Sequence, residues 1–86
     1  MKKPRILVMG SLVMDLISRS GRLPQAGETV LGEAFSAASG GKGANQAMQA
    51  ALLGAEVAMM GKVGTDSFGR QMCASLAAAG VNVDHI

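Results

Sequence analysis

Gly40-Gly41-Lys42-Gly43-Ala44-Asn45-Gln46-Ala47 is the stretch on which the reading of this chain turns. Three glycines in four residues mark a tight turn, and the residues after it have a helical period. Ala44, Ala47, Met48, Ala51 and Leu52 recur at i, i+3, i+4, i+7 and i+8, one apolar face of a helix. The spacing predicts a helix over residues 42–53, with Gly54 as its C-terminal capping glycine. The first N–H groups of such a helix lack internal partners and carry the positive end of its dipole, which favours oxygen-rich or anionic ligands. Gly40, Gly41 and Gly43 remove the Cβ atoms that would keep a ligand from the backbone. Lys42 adds a positive donor, and Asn45, one turn in, offers both a donor and an acceptor. Such a cluster suits sugar hydroxyls, although a strand-to-helix turn with exposed Lys and Asn accounts for the local pattern equally well. It does not suit a phosphate loop. Ser36 and Gly43 stand where a Walker A sequence needs Gly and Ser or Thr, and Gln46 stands where the dinucleotide fingerprint needs its third Gly.

Upstream of the run, residues 5–10 are apolar without alternation, which predicts a parallel strand buried on both faces. Residues 12–19 form a second extended piece, apolar apart from Asp15. A carboxylate in that setting is either exposed or paired. Just beyond the carboxyl end of a strand, where open α/β sheets collect ligands, Asp15 could accept hydrogen bonds from two neighbouring hydroxyls. It could also be a solvated edge-strand charge. Residues 21–27 read as a turn around Pro24. Residues 28–38 alternate loosely, with Leu31 and Phe35 on one face, and are expected to pair with Leu16–Arg19 as a small antiparallel ribbon that Ser39–Gly41 breaks.

Downstream, residues 56–60 predict another buried strand. Asp66 is placed to cap a helix in which Phe68, Met72 and Leu76 stack at four-residue spacing, with Cys73 nearby in the core and Gly80 at the end. Val81-Asn82-Val83 opens a third strand. Strands alternating with helices argue for an α/β fold with a parallel sheet and right-handed crossovers. The 86 residues run out at that third strand, so the chain is expected to be part of something longer.

Composition narrows the function classes. The net charge of +2 includes one basic cluster, Lys2, Lys3 and Arg5, and Phe35 and Phe68 are the only aromatic residues. Without a basic stripe or stacking aromatics, a nucleic-acid partner is not expected. Seven methionines supply an adaptable core instead of aromatic rings. The apolar run after the first basic residues is too short for a signal peptide, and none reaches membrane-span length. Cys73 is the only cysteine, so no intramolecular disulfide forms. A soluble, cytoplasmic protein with no membrane partner is expected. His85 stands alone and is assigned neither metal nor catalysis.

Taken together, the chain resembles the ribokinase-like carbohydrate kinase superfamily over essentially its whole length. The strand ending toward Asp15 resembles that family's first strand and substrate aspartate. Leu23-Pro24-Gln25-Ala26-Gly27-Glu28-Thr29 resembles its Pro-x-x-Gly-Glu-Thr turn between lid strands. Gly40-Gly41 with Asn45 fits its N-terminal signature, and Gly64-Thr65-Asp66-Ser67-Phe68-Gly69 fits the family's next element, Gly-x-Asp-x-x-Gly. The form with Lys42, Asn45 and Gln46 is typical of the ribokinase branch. The resemblance implies residues 1–86 to be the N-terminal, sugar-binding segment of a three-layer domain: a parallel sheet with helices plus a small β lid ribbon, with lid strands around 12–19 and 28–38. It implies that Asp15 holds ribose hydroxyls and that Val13 and Met14 line the pocket beside it. Gly41 and Lys42 would meet the sugar through backbone and side chain, Gly43 would permit the close approach, and Asn45 would bind a further hydroxyl. Several ribokinases carry Asn at the place of Val13, so another pentose such as deoxyribose, or another sugar or phosphosugar, is an alternative substrate, and a truncated non-catalytic sugar-binding or dimerising module is the alternative to a kinase. The reaction implied is transfer of the γ-phosphoryl of ATP to a sugar hydroxyl, with Mg2+ and a monovalent cation such as K+, in a homodimer joined through the lid strands. The catalytic aspartate, nucleotide and cation sites of the family lie beyond this segment, which is therefore expected to be inactive alone.

Overall fold

The computed structural model describes residues 2–86. Its elements run β1 (Arg5–Met9), β2 (Val13–Arg19), β3 (Ala34–Gly40), α1 (Lys42–Leu52), β4 (Glu56–Met60), α2 (Ser67–Ala78) and β5 (Asn82–His85). β1, β4 and β5 form a parallel three-stranded sheet in the order β1-β4-β5. β2 and β3 form a separate antiparallel ribbon. This is part of an α/β fold, as the alternation of strand and helix predicts.

The core lies between one face of the sheet and the two helices. Val57 and Met59 of β4 share a cluster with Ala44 and Ala47 of α1, Leu76 of α2, and Val81. Ala47 and Met59 are fully buried, and Leu76 is nearly so. Small alanines on α1 let that helix approach β4 closely, and the methionines fill the remaining irregular gaps. The expected apolar face of α1 holds through Ala51, but Leu52 at its last turn points away and is 65% exposed.

The opposite face of the sheet is bare. Register pairs Leu7 with Ala58 and Met9 with Met60, and Leu7 and Met9 are 58% and 75% exposed. The expectation that β1 is buried on both faces therefore fails in this chain. Both helices belong to consecutive right-handed crossovers that progress in one direction, so both cover the same side.

The ribbon also departs from expectation. Its second strand begins at Ala34 rather than at residue 28, and it continues through Ser39 and Gly40, which pair with Met14 and Val13 instead of breaking the ladder. Residues 28–33 lie in a loop instead; Glu28 ties its start to Arg22 and Gln25, and pairing begins where the Glu33 N–H donates to the Arg19 carbonyl at 2.6 Å. Leu31, expected on a strand face, is 89% exposed in that loop. The ribbon projects from the body, and the molecule is 57 Å long but only 26 by 19 Å across.

The helix termini agree with the sequence reading. Asp66 caps α2 by accepting the Gly69 N–H at 2.9 Å. Gly69 must be glycine because a Cβ there would collide with the Gly64 carbonyl, which explains the last position of the Gly64-Thr65-Asp66-Ser67-Phe68-Gly69 element. Gly54 and Gly80 come directly after the two helices in the left-handed conformation, with φ of 100° and 95°.

Candidate functional site

The loop from β1 to β2, the base of the ribbon and the start of α1 meet at one place. Gly41 turns the chain from β3 into α1 with φ of 100°, a conformation costly for any side-chain-bearing residue. A Cβ at Gly41 would also lie 2.6 Å from the Ser11 carbonyl and 2.9 Å from the Val13 nitrogen. Gly43 is buried, and its missing side chain makes room for Gly10 and Ser11, whose backbone would stand 2.8 Å from a Cβ. What Gly43 permits is thus the approach of α1 to the β1–β2 loop. The Ala44 N–H donates to the Ser11 carbonyl at 3.0 Å and the Asn45 N–H to the Gly41 carbonyl at 2.9 Å. The Asn45 bond is the first rung of the helix itself, so of the four amides without a helical partner the Ala44 N–H is engaged, by Ser11.

Asp15 stands on β2 opposite Ala38, on the ribbon face it shares with Val13 and Gly40. A Cβ at Gly40 would lie only 3.1 Å from Asp15 Oδ2. Residues 25 positions apart in sequence are thereby joined: the carboxylate lies against the first glycine of the run. Asp15, Lys42 and Asn45 are all exposed, as hydroxyl-binding groups open to a ligand must be. Asn45 also borders, with Ser39, Gly40 and Ala44, a cavity of about 10 Å3, which has room for one water at most. A sugar cannot enter it, so the surface on offer is the open shelf above, walled by the ribbon on one side and floored by the start of α1. Val13 lies on the Asp15 face. Met14 does not; alternation turns it to the other face with Ser39, whose Oγ is 3.5 Å from Ser75 Oγ on α2.

The model of the pfkB family carbohydrate kinases matches residues 3–86, nearly the whole chain. The chain belongs to that family. This pfkB-family chain is 53% identical over 81 residues to the ribokinase of Bacillus subtilis (strain 168), with 94% of this chain and 28% of that protein covered. It is 42% identical over 81 residues to the deoxyribokinase of Salmonella typhi, with 94% and 26% covered. Among solved structures it is similar to Arabidopsis thaliana ribokinase complexed with ribose and ATP, with a TM-score of 0.85, 34% identity, and coverage of 99% of this chain and 28% of that one. The pfkB-family segment thus spans about a quarter of the length of these relatives.

Sequence reasoning missed Gly10, Ser11 and Gly61. A Cβ at Gly61 would meet Leu12 and the Gly10 carbonyl, and one at Gly43 would meet Gly10 and Ser11, so these glycines let the β1–β2 loop settle between β4 and α1. The signal was available in the placement of Gly10 and Gly61 at the carboxyl ends of two parallel strands, where α/β folds collect ligands.

Proposed function

We propose that this chain is the sugar-binding part of an ATP-dependent pentose kinase that, at full length, converts D-ribose and ATP to ribose 5-phosphate and ADP. The observation that carries the reading is the Asp15 carboxylate lying against Gly40 at the head of the glycine run. Ionised, Asp15 only accepts hydrogen bonds, and its two oxygens suit a pair of vicinal hydroxyls. Gly41 and Lys42 meet the sugar through backbone and side chain, Asn45 donates to or accepts from a further hydroxyl, and Val13 packs beside it. Gly43 acts indirectly by letting α1 reach the β1–β2 loop, and Met14 steadies the ribbon from its far face. The ribbon serves as a lid, and its exposed Leu16, Ile17 and Phe35 favour a homodimer formed through lid strands.

The chain does not fit the rest of the chemistry. ATP supplies the phosphoryl group in such a kinase, with Mg2+ and K+ as counter-charges, but Gly40–Gly43 lacks phosphate-loop spacing. Among the described residues no three His, Cys, Asp or Glu side chains come together to hold a metal ion. We place those sites in the part of the relatives' length that this chain does not span. No helix among the described residues is long and apolar enough to cross a membrane. The proposed setting is the cytoplasm, with neither membrane nor nucleic acid as a partner.

A second reading, a deoxypentose as substrate, is favoured by two observations: Val13 puts an apolar side chain on the Asp15 face, and the chain is 42% identical over 81 residues to a relative named deoxyribokinase. An apolar contact discriminates only weakly against an added hydroxyl, so both sugars are tolerated at that position. The test is a titration of the chain with ribose and 2-deoxyribose, monitored by amide NMR, together with an assay for ribose 5-phosphate. Saturable shifts at Asp15 and residues 40–45, with no turnover by the 86-residue chain, are expected. Absence of binding, or robust turnover, overturns the reading.

A further inference from the structure

We propose that Arg22 and Glu28 form a clamp that sets the register of the ribbon and so positions Asp15 against Gly40; the consequence for sugar rests on the proposed sugar site. Pairing alone fixes this register poorly. β3 is Ala34-Phe35-Ser36-Ala37-Ala38-Ser39-Gly40, with one large side chain, and every residue of it except Gly40 is exposed. Register is strongly specified where one face is buried, and weakly in strands that are small, polar or glycine-rich on both faces. A slip of two residues would carry Ala38 and Gly40 about 7 Å along β2 and away from Asp15.

The register is instead held at its two ends. At the body end Gly41 locks against Ser11 and Val13. At the far end lies a 14-residue connection between Arg19 and Ala34, which is long for a hairpin and has no regular structure. Its order comes from Glu28. Both terminal nitrogens of the Arg22 guanidinium, Nη1 and Nη2, donate to that carboxylate, at 2.5 and 2.9 Å, and the Gln25 N–H donates to Glu28 Oε1 at 3.0 Å. The Glu28 N–H donates back to the Gln25 carbonyl at 3.0 Å, closing a turn over Ala26 and Gly27 just after Pro24. Bidentate Arg–carboxylate pairs add geometric specificity to attraction. With the loop fixed, Glu33 meets Arg19 and the ladder begins in one register. Arg22 and Glu28 are thus positioning residues acting through the strand pair. The Pro-x-x-Gly-Glu-Thr turn gains a physical reason for its glutamate.

The test compares wild type, Arg22→Ala, Glu28→Ala and the double reversal Arg22→Glu with Glu28→Arg. Cross-strand NOEs between Asp15 and Ala38 and between Ile17 and Ser36 report register, and ribose titration reports the site. Each single variant is expected to lose or redistribute those NOEs, while the NOEs of the β1–β4 pair stay, and to bind ribose about two- to tenfold more weakly. The reversal is expected to recover part of both. Unchanged ribbon NOEs in the single variants overturn the clamp, and so do altered NOEs with unaltered ribose affinity. If wild type itself does not bind ribose, the sugar reading falls, and the NOE comparison alone decides the clamp.

Discussion

The body and the ribbon of this chain are held together by different physics. In the body, Ala47, Met59 and Leu76 are sealed between sheet and helices, and apolar burial does the work. In the ribbon only Gly40 is buried, so backbone pairing and the pins at its two ends must suffice. The candidate site falls on the junction, with Asp15 supplied by the exposed ribbon and Lys42 and Asn45 by a helix anchored in the core. A ligand bound there joins the stable part to the compliant part, which is what a lid over a substrate requires.

The widest gap between the two regions is expected from truncating one large side chain in each. Leu76→Ala leaves a cavity in the core and is expected to cost about 2–5 kcal/mol of stability. Phe35→Ala, at a residue 65% exposed in the ribbon, is expected to stay within about 0.5 kcal/mol of wild type. Urea unfolding of both variants checks the contrast, and equal losses would break it. At the junction, Asp15→Ala is expected to weaken ribose binding by about 1.5–3 kcal/mol, from roughly tenfold to more than a hundredfold. Its unfolding midpoint should stay that of wild type. In the body alone, Asp66→Ala removes the cap that accepts the Gly69 N–H and is expected to cost about 1 kcal/mol, with no change in ribose affinity.

The smallest effect is a pH response confined to the ribbon. The Arg22 guanidinium beside it, and then the Gln25 N–H, hold the Glu28 carboxyl below its ordinary range. A depressed carboxyl contributes order above its unfolded-state pKa and loses it as pH falls through the folded one. Loop amides near residues 22–28 should therefore shift on acidification below the ordinary glutamate range, while the NMR signals of Met59 and Leu76 stay in place. The pair is exposed, so added salt should weaken the response.

How much the sequence disclosed divides along the same line. The body was legible because its elements carry a buried face or a local cap: the 3.6-residue period of α1 and the apolar run of β4 correspond to packing, and Asp66 to a hydrogen bond at the start of α2. The ribbon was legible only in outline. With no buried face, residues 28–33 alternate as plausibly as 34–40, and what separates them is a side-chain clamp that leaves no periodic trace. The bare side of β1 was not legible either, because an apolar run says that a strand wants two covered faces, not what covers them. In the site, the residue types were readable, but the distinction between Gly43, which faces Gly10, and Gly40, which faces Asp15, exists only in three dimensions.

The most direct test of the central claim, that the junction of ribbon and body is the sugar site, is a ribose titration of the chain monitored at every backbone amide. Saturable shifts are expected to concentrate at residues 13–15 and 40–45 and to vanish in Asp15→Ala. Shifts that map elsewhere, such as to the bare face around Leu7 and Met60, or that persist unchanged in Asp15→Ala, would contradict it.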